Sequence, residues 1–332
     1  MNKKMLRIFL VLCFLTASAS ANSEIQNKNA GNNMIDYDKT KNWCVGRYSI
    51  QLPAEAKFYE QIDSYNAFDI KTITTNATQD DLNHEIQSVL KEFSTYGSLI
   101  LKEGEIEKFG SSITKTIWVK LNPTAVQVQV YSFVLDKRTL FAISGAYGSE
   151  FSNISKEAIT NLVRKLKQRN NQSVPNEKGF CINNGFIYDD GSQYRFSEQR
   201  LILDFPNYPS VDLTFESTSV FENDGGLIKR MSNNLKEEGM LSKILNKVKT
   251  IRKGPKTVNG LSGEEWVVEA PMKGKNGIDA VWAYSGIADN NLFPSIQLSF
   301  TSANTLETDS ASLGQKEAEM FYEEILKTIK KF

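Results

Sequence analysis

Apolar positions along the chain follow two periods, and the order in which these alternate occurs twice. The first round opens on Trp43-Cys44-Val45-Gly46-Arg47-Tyr48-Ser49-Ile50-Gln51-Leu52-Pro53. Tyr48, Ile50 and Leu52 recur at every second position, the pattern of a half-buried strand, and Pro53, which cannot donate to a ladder, stops it. A second strand places Phe68 and Ile70 inward. The period then changes. Thr78 with Asp81 three residues on makes a capping box, and Leu82, Ile86, Val89, Leu90 and Phe93 form one helical stripe. Strands follow near 104–109, 113–121, 125–135 and 139–146; the long strand 125–135 has apolar residues on both faces, as a central strand would. A helix starting at Ser155 then carries Ala158, Ile159, Leu162, Val163 and Leu166.

The second round opens on Gly179-Phe180-Cys181 and gives strands near 180–187, 199–205 and 210–217. A long helix spans roughly 225–247. Strands follow near 248–253, 263–269, 278–287 and 294–301. A closing helix sets Ala318, Phe321, Tyr322, Ile325 and Ile329 on one side. Cys44 and Cys181 stand 137 residues apart, and Trp118 and Trp266 stand 148 apart in corresponding strands. This repetition predicts an α+β chain of two related domains, 43–168 and 179–332, each a mostly antiparallel sheet with helices packed on one face. The polar, proline-containing run 169–178 reads as the linker, and the Asn-rich stretch 22–42 as a flexible leader.

Residues 1–21 are of another kind. Lys3, Lys4 and Arg7 precede an apolar run from Ile8 to Leu15, and Ala19-Ser20-Ala21 offers a small-x-small cleavage site. That layout is a secretory signal peptide, with a mature start at Asn22. The run is too short for the roughly 20 residues of a membrane span, so no anchor is expected after cleavage. Cleavage removes Cys13 and leaves Cys44 and Cys181 in an oxidising compartment, where they either pair or lie separately as small buried apolar residues.

Composition closes several routes to a function. The chain carries 39 basic and 39 acidic side chains, so it has no global field to collect nucleic acid. Its only histidine is His84, in Asp80-Asp81-Leu82-Asn83-His84-Glu85, where helical spacing turns it away from the Leu82/Ile86 stripe. No Gly-x-Ser-x-Gly elbow occurs, and Gly260-Leu261-Ser262-Gly263 lacks the spacing. One histidine and two distant thiols make no closed zinc site. Asp189-Asp190-Gly191 and Glu222-Asn223-Asp224-Gly225-Gly226 suit turns better than calcium loops. No phosphate-cradling glycine motif is present, so no cofactor is expected. A carboxylate-pair glycosidase, needing no histidine, is the enzymatic class this leaves open. One charge asymmetry remains: Lys229, Arg230, Lys236, Lys243, Lys247, Lys249, Arg252, Lys253 and Lys256 face only Glu237 and Glu238 over the same stretch. It reads either as a solvated helix flank or as a surface for an acidic partner or anionic phospholipid.

The string Cys44-Val45-Gly46-Arg47-Tyr48-Ser49-Ile50-Gln51-Leu52-Pro53 resembles the start of the N-terminal domain of type VI secretion immunity proteins, those cognate to the fourth group of lipase effectors. Gly179-Phe180-Cys181 with Gly185-Phe186-Ile187 is similar to the start of that family's C-terminal domain. The resemblance implies a periplasmic protein without chemistry of its own that binds a secreted lipase or phospholipase effector and blocks it. Its contact residues do not carry over, because they are private to each pair. A periplasmic ligand-binding or envelope-scaffold protein would share the signal peptide and the lack of catalytic motifs.

Overall fold

The computed structural model describes residues 39–148, 152–193, 195–223, 225–237, 249–304, 308 and 310–332. The stretch read as a signal peptide, most of the stretch read as a leader, and residues 238–248, where the sequence predicts the second half of a long helix, lie outside the described residues.

The first strand reading, 43–53, resolves into a hairpin of β1 (Thr40–Val45) and β2 (Tyr48–Pro53). β1 begins inside the stretch read as leader, with Thr40 paired to Pro53. Gly46 makes the turn at φ +58, and a Cβ there would meet Gln199 Oε1 at 2.4 Å, so both conformation and space call for glycine. Next come β3 (Lys57–Tyr65), β4 (Phe68–Thr74) and α1 (Gln79–Thr95). The capping box of α1 forms as the sequence predicts: Asp81 N–H donates to Thr78 Oγ1, and Thr78 N–H to the Asp81 carboxylate at 2.7 Å. β5 (Leu99–Glu103), β6 (Glu107–Phe109), β7 (Ser112–Lys120), β8 (Gln127–Asp136), β9 (Thr139–Gly148) and α2 (Ser152–Lys165) complete the first round.

The second round repeats this order. β10 (Leu166–Gln168) leads to a hairpin of β11 (Gly179–Ile182) and β12 (Gly185–Tyr188), splitting the single strand expected at 180–187. Then come β13 (Ser197–Asp204), β14 (Asp212–Thr218), α3 (Leu227–Glu237), β15 (Thr250–Val258), β16 (Leu261–Ala270), β17 (Gly277–Tyr284), β18 (Ser295–Thr301), α4 (Gln315–Leu326) and β19 (Lys330–Lys331).

Among the described residues all strand pairings are antiparallel, and the two rounds share one sheet. Its order is β15-β16-β17-β18-β14-β13-β3-β4-β9-β8-β7-β5, with β6 also on β7. The seam is β3 against β13, from Ser197↔Tyr65 to Asp204↔Lys57, with a register shift at Ile202/Leu203. Each half of the sheet therefore mirrors the other about this pair. The hairpins are exchanged across it. β10 joins β12, so the second hairpin packs on the first half: Phe180, Ile182 and Ile187 share a core with Val130, Phe141 and Ile143 of the sheet and Ile159, Leu162 and Val163 of α2. β19 joins β2, so the first hairpin packs on the second half, where Thr328 Oγ1 accepts from Gln51 N–H at 2.9 Å.

Helices cover both faces of the sheet, a departure from the one-faced packing expected. β8 shows why. Val130 and Val134 meet the α2 core, while Phe133 and Leu135 between and beside them meet Leu82, Ile86 and Phe93 of α1. With two apolar faces, each worth about 1.5–3 kcal/mol per fully buried large side chain, a cover is needed on each side.

Candidate functional site

The seam has two unlike faces. On one, the exchanged hairpins meet. Cys44 and Cys181 are disulfide-bonded with Cα atoms 5.7 Å apart. Beside the bond, Gly46 and Cys181 exchange backbone hydrogen bonds of 2.9 and 2.8 Å. The Arg47 guanidinium, fully buried, donates to the carbonyls of Gly179 and Asp189 and to the Asp189 carboxylate. Tyr65 Oη and Asn291 Nδ2 also donate to that carboxylate, each at 2.8 Å. Burial alone would raise the Asp189 carboxyl; Arg47 and these donors outweigh it and hold it below its ordinary value.

A second buried pair lies across the same seam. Arg169, at the start of the run read as a linker, donates to the carbonyls of Asn170, Ser173, Ile182, Gly185 and Cys44. Burial lowers its pKa to about 10 against the pull of Asp63. Asp63 accepts from Asn183 N–H at 2.8 Å and Gln61 Nε2 at 2.7 Å. Burial dominates there and lifts its carboxyl to about 7. The 169–178 segment is thus tied into both hairpins.

The opposite face of the seam is open. From the register, Lys57, Glu60, Ile62 and Ser64 of β3 lie on it beside Glu198, Arg200, Ile202 and Asp204 of β13. Asp212, Thr214, Glu216 and Thr218 of β14 and Ser295, Gln297, Ser299 and Thr301 of β18 continue it. None of these side chains is fully buried, and Ile62 is 47% exposed. α1 covers the sheet on one side of this strip, over β8, and α3 on the other, over β16 and β17. Among the described residues this is a face of mixed polarity at the centre of the sheet, with the exposed Ile62 at its middle.

The residues singled out by sequence are dispersed. His84 is exposed on α1, as its helical spacing predicts. Arg252 reaches Glu265, Glu319 and Glu323 at 3.0, 2.6 and 2.9 Å, and Lys256 reaches Glu323 at 2.9 Å, so these two cations brace α4 against β16. Lys249 lies 3.7 Å from Glu269, and Lys253 sits 3.6 Å over the Trp266 ring. Arg230 donates to the Gly225 carbonyl at 3.0 Å, while Lys229 and Lys236 are exposed on α3. Lys243 and Lys247 lie outside the described residues. Among the described residues no group of three His, Cys, Asp or Glu is placed to hold a metal. Two surface hollows, of about 230 Å³ beside Trp118 and about 450 Å³ beside Asp190, are lined largely by charged and polar side chains. The sequence reading missed the seam strand β3, and with it the open face. Its signal was the unusual string Phe58-Tyr59-Glu60-Gln61-Ile62, aromatic and aliphatic residues that the fold leaves exposed.

Comparison with known proteins places this geometry. Residues 173–331 match the family model of the Tle cognate immunity protein 4 C-terminal domain. No curated protein matches the chain. Among solved structures, the apo immunity protein TplEi of the type VI secretion system of Pseudomonas aeruginosa is similar with a TM-score of 0.75 at 22% identity, over 89% of this chain and 99% of that one. A chain of the Tle4–Tli4 complex gives the same score and identity over 89% and 98%. TplEi bound to an "L" peptide gives 0.70 at 23%, over 89% and 99%. Residues 173–331 are therefore similar to the Tle cognate immunity protein 4 C-terminal domain, and the chain shares the fold of TplEi and of the matching chain of the Tle4–Tli4 complex.

Proposed function

We propose that this protein is a periplasmic immunity protein that binds a type VI secreted phospholipase and inhibits it by covering access to its active site. The observation that carries the reading is the match of residues 173–331 to the immunity family model, supported by the shared fold over most of the chain. The open seam face supplies a surface for the contact. Both halves contribute strands to it, so a partner seated there touches both at once, and each contact makes the other effectively intramolecular. A lipase must admit its lipid, usually by moving a lid or cap, so holding that element still stops turnover without any chemistry in the inhibitor. Residues 1–21 supply the route to the compartment where such an effector acts. A small-ligand carrier would be served by a concave apolar pocket; the two charged hollows weigh against that alternative.

The test mixes the purified mature protein with the lipase encoded beside its gene. Stoichiometric loss of phospholipid hydrolysis and a complex on size exclusion are expected. Full hydrolysis at several-fold molar excess, with no complex, rules the reading out.

A further inference from the structure

We propose that the edge strand β5 is a self-association surface, at which a second copy of this chain pairs its own β5 and continues the sheet across a twofold axis. The proposal goes beyond the immunity reading and does not depend on it.

The two ends of the sheet are corresponding strands of the repeat. β5 follows α1 as β15 follows α3, and among the described residues each is paired on one side only. A strand so placed offers its outer N–H and C=O groups to any chain that can pair with them, and proteins suppress this with lysine, proline or a cover. β15 has those devices. Lys253 and Pro255 are exposed on it, Arg252 and Lys256 are tied to α4, and neither Ile251 nor Val258 is among the exposed large side chains. β5 lacks them. It has no proline, and Leu99, Ile100 and Leu101 are 44, 39 and 47% exposed. Tyr96, Ile106 and Leu121 are exposed at the same end of the sheet, where the Leu121 carbonyl accepts from Ser98 Oγ at 3.2 Å. The charges of β5 are already engaged within the chain: Lys102 Nζ lies 5.3 Å from the centre of the Trp118 ring, and Glu103 is 2.7 Å from Lys115. The edge therefore has main chain, leucine and isoleucine left to offer, which suits another apolar edge better than a charged ligand.

The charge pattern favours a second copy as the occupant. A twofold contact lays a surface on itself, so a strip of one sign repels its own image. Thr250–Val258 carries Arg252, Lys253 and Lys256 with no acid, and would do so. Residues 99–109 carry Lys102 and Lys108 against Glu103, Glu105 and Glu107, a net of −1 with both signs present, and do not. Antiparallel pairing of identical edges is also what a twofold axis normal to a sheet produces, each copy supplying the donors and acceptors that the other lacks. β5 stands five strand spacings from β3, about 24 Å, so the dimer leaves both seam faces free.

The deciding experiment is sedimentation velocity on the purified protein from about 1 to about 100 μM, with a thermal melt of every variant. The wild type is expected to pass from the mass of one chain to that of two over this range. Leu101 is the extra residue of a bulge, with no residue opposite it on β7, so Leu101→Lys charges the edge while sparing the ladder. It is expected to weaken the dimer at least tenfold. Val126→Lys alters a more exposed apolar residue off the edge strands and is expected to leave the dimer within about twofold. Should Leu101→Lys fail to fold, hydrogen exchange on the wild type reads the same contact. Amides of 99–103 should then exchange more slowly at the higher concentration, and those of 250–258 should not change. A wild type that stays a single chain at about 100 μM overturns the proposal. So does a dimer that Leu101→Lys leaves intact, or one whose exchange slows only elsewhere. Equal weakening by Val126→Lys marks unspecific apolar association and overturns it as well. Lipase inhibition plays no part in the readout, so failure here spares the immunity reading.

Discussion

The two faces of the β3–β13 seam are made by alternate residues of the same strands, yet they are opposite in kind. Gln61, Asp63 and Tyr65 point toward the hairpins and enter a layer held by a disulfide and two buried arginines. Glu60, Ile62 and Ser64 point the other way and are left in solvent or only partly covered. Stability is concentrated on one side and withheld from the other. An antiparallel sheet permits this because its side-chain period is two, so one strand can hold a fold together and present a surface at the same time. The lesson is that removing side chains from the first face should unfold the protein, whereas removing them from the second should change only what it binds.

The largest expected effect is on the hairpin face. Replacing both Cys44 and Cys181 by Ser removes a crosslink spanning 137 residues, worth about 5 kcal/mol in the chain-entropy model. Urea midpoints of the oxidised protein and the double variant measure it, and thiol counting under denaturing, non-reducing conditions checks that the bond is present in the purified protein. Arg47→Met comes next. It leaves the Asp189 carboxylate buried without its cation, at a cost of about 3–5 kcal/mol at neutral pH. Because Asp189 is held below its ordinary pKa, the stability that Arg47 confers is present above the unfolded carboxylate's pKa and lost as the pH falls through the folded value. The gap between variant and wild type should therefore narrow in acid.

Asp63 has the reverse sign. Its carboxyl is lifted to about 7, so the folded protein holds a proton there that the unfolded chain has released, and stability falls as pH rises from the ordinary carboxylate range to about 7. Asp63→Asn is expected to stabilise the protein by about 1–2 kcal/mol at pH 8 and to make little difference at pH 4, read from melting curves at the two values. The smallest effect belongs to the open face. Asp204→Asn, which removes one of two opposed carboxylates, should raise stability by about 0.2–1 kcal/mol. A large loss there would break the contrast between the faces.

Much of this was legible in the sequence, and the limits have physical causes. The capped helix α1, the two-faced strand β8 and the twofold order of elements follow from periodicities that the tertiary structure respects. β3 does not announce itself. A bulge near Tyr59 shifts its register, and its apolar residues Phe58, Tyr59 and Ile62 are the exposed ones, while Asp63 is buried. Amphipathic reasoning assigns such a string to neither strand nor core. β10 and β19 are too short to carry a period, and they are the strands that exchange the hairpins. Trp118 and Trp266 stand in corresponding strands but on opposite faces of the sheet, because spacing along the chain counts residues and does not record side. Arg252 and Lys256 looked like surface charge because Glu319 and Glu323, which they reach on α4, lie some seventy residues away along the chain.

The exchanged hairpins also set the order of events when the chain folds. β2 acquires its third strand only from residues 330–331, and the nearby contact between Gln51 and Thr328 spans 277 positions. Closing so wide a loop is entropically slow, and strand pairings of this reach are the hallmark of late steps. The first hairpin is therefore among the earliest segments to be synthesised and among the last to find its place. Until the remainder of the chain has been made, Leu52 and Ile50 have no complete core to enter, so the first hairpin stays uncommitted while the rest of the molecule assembles.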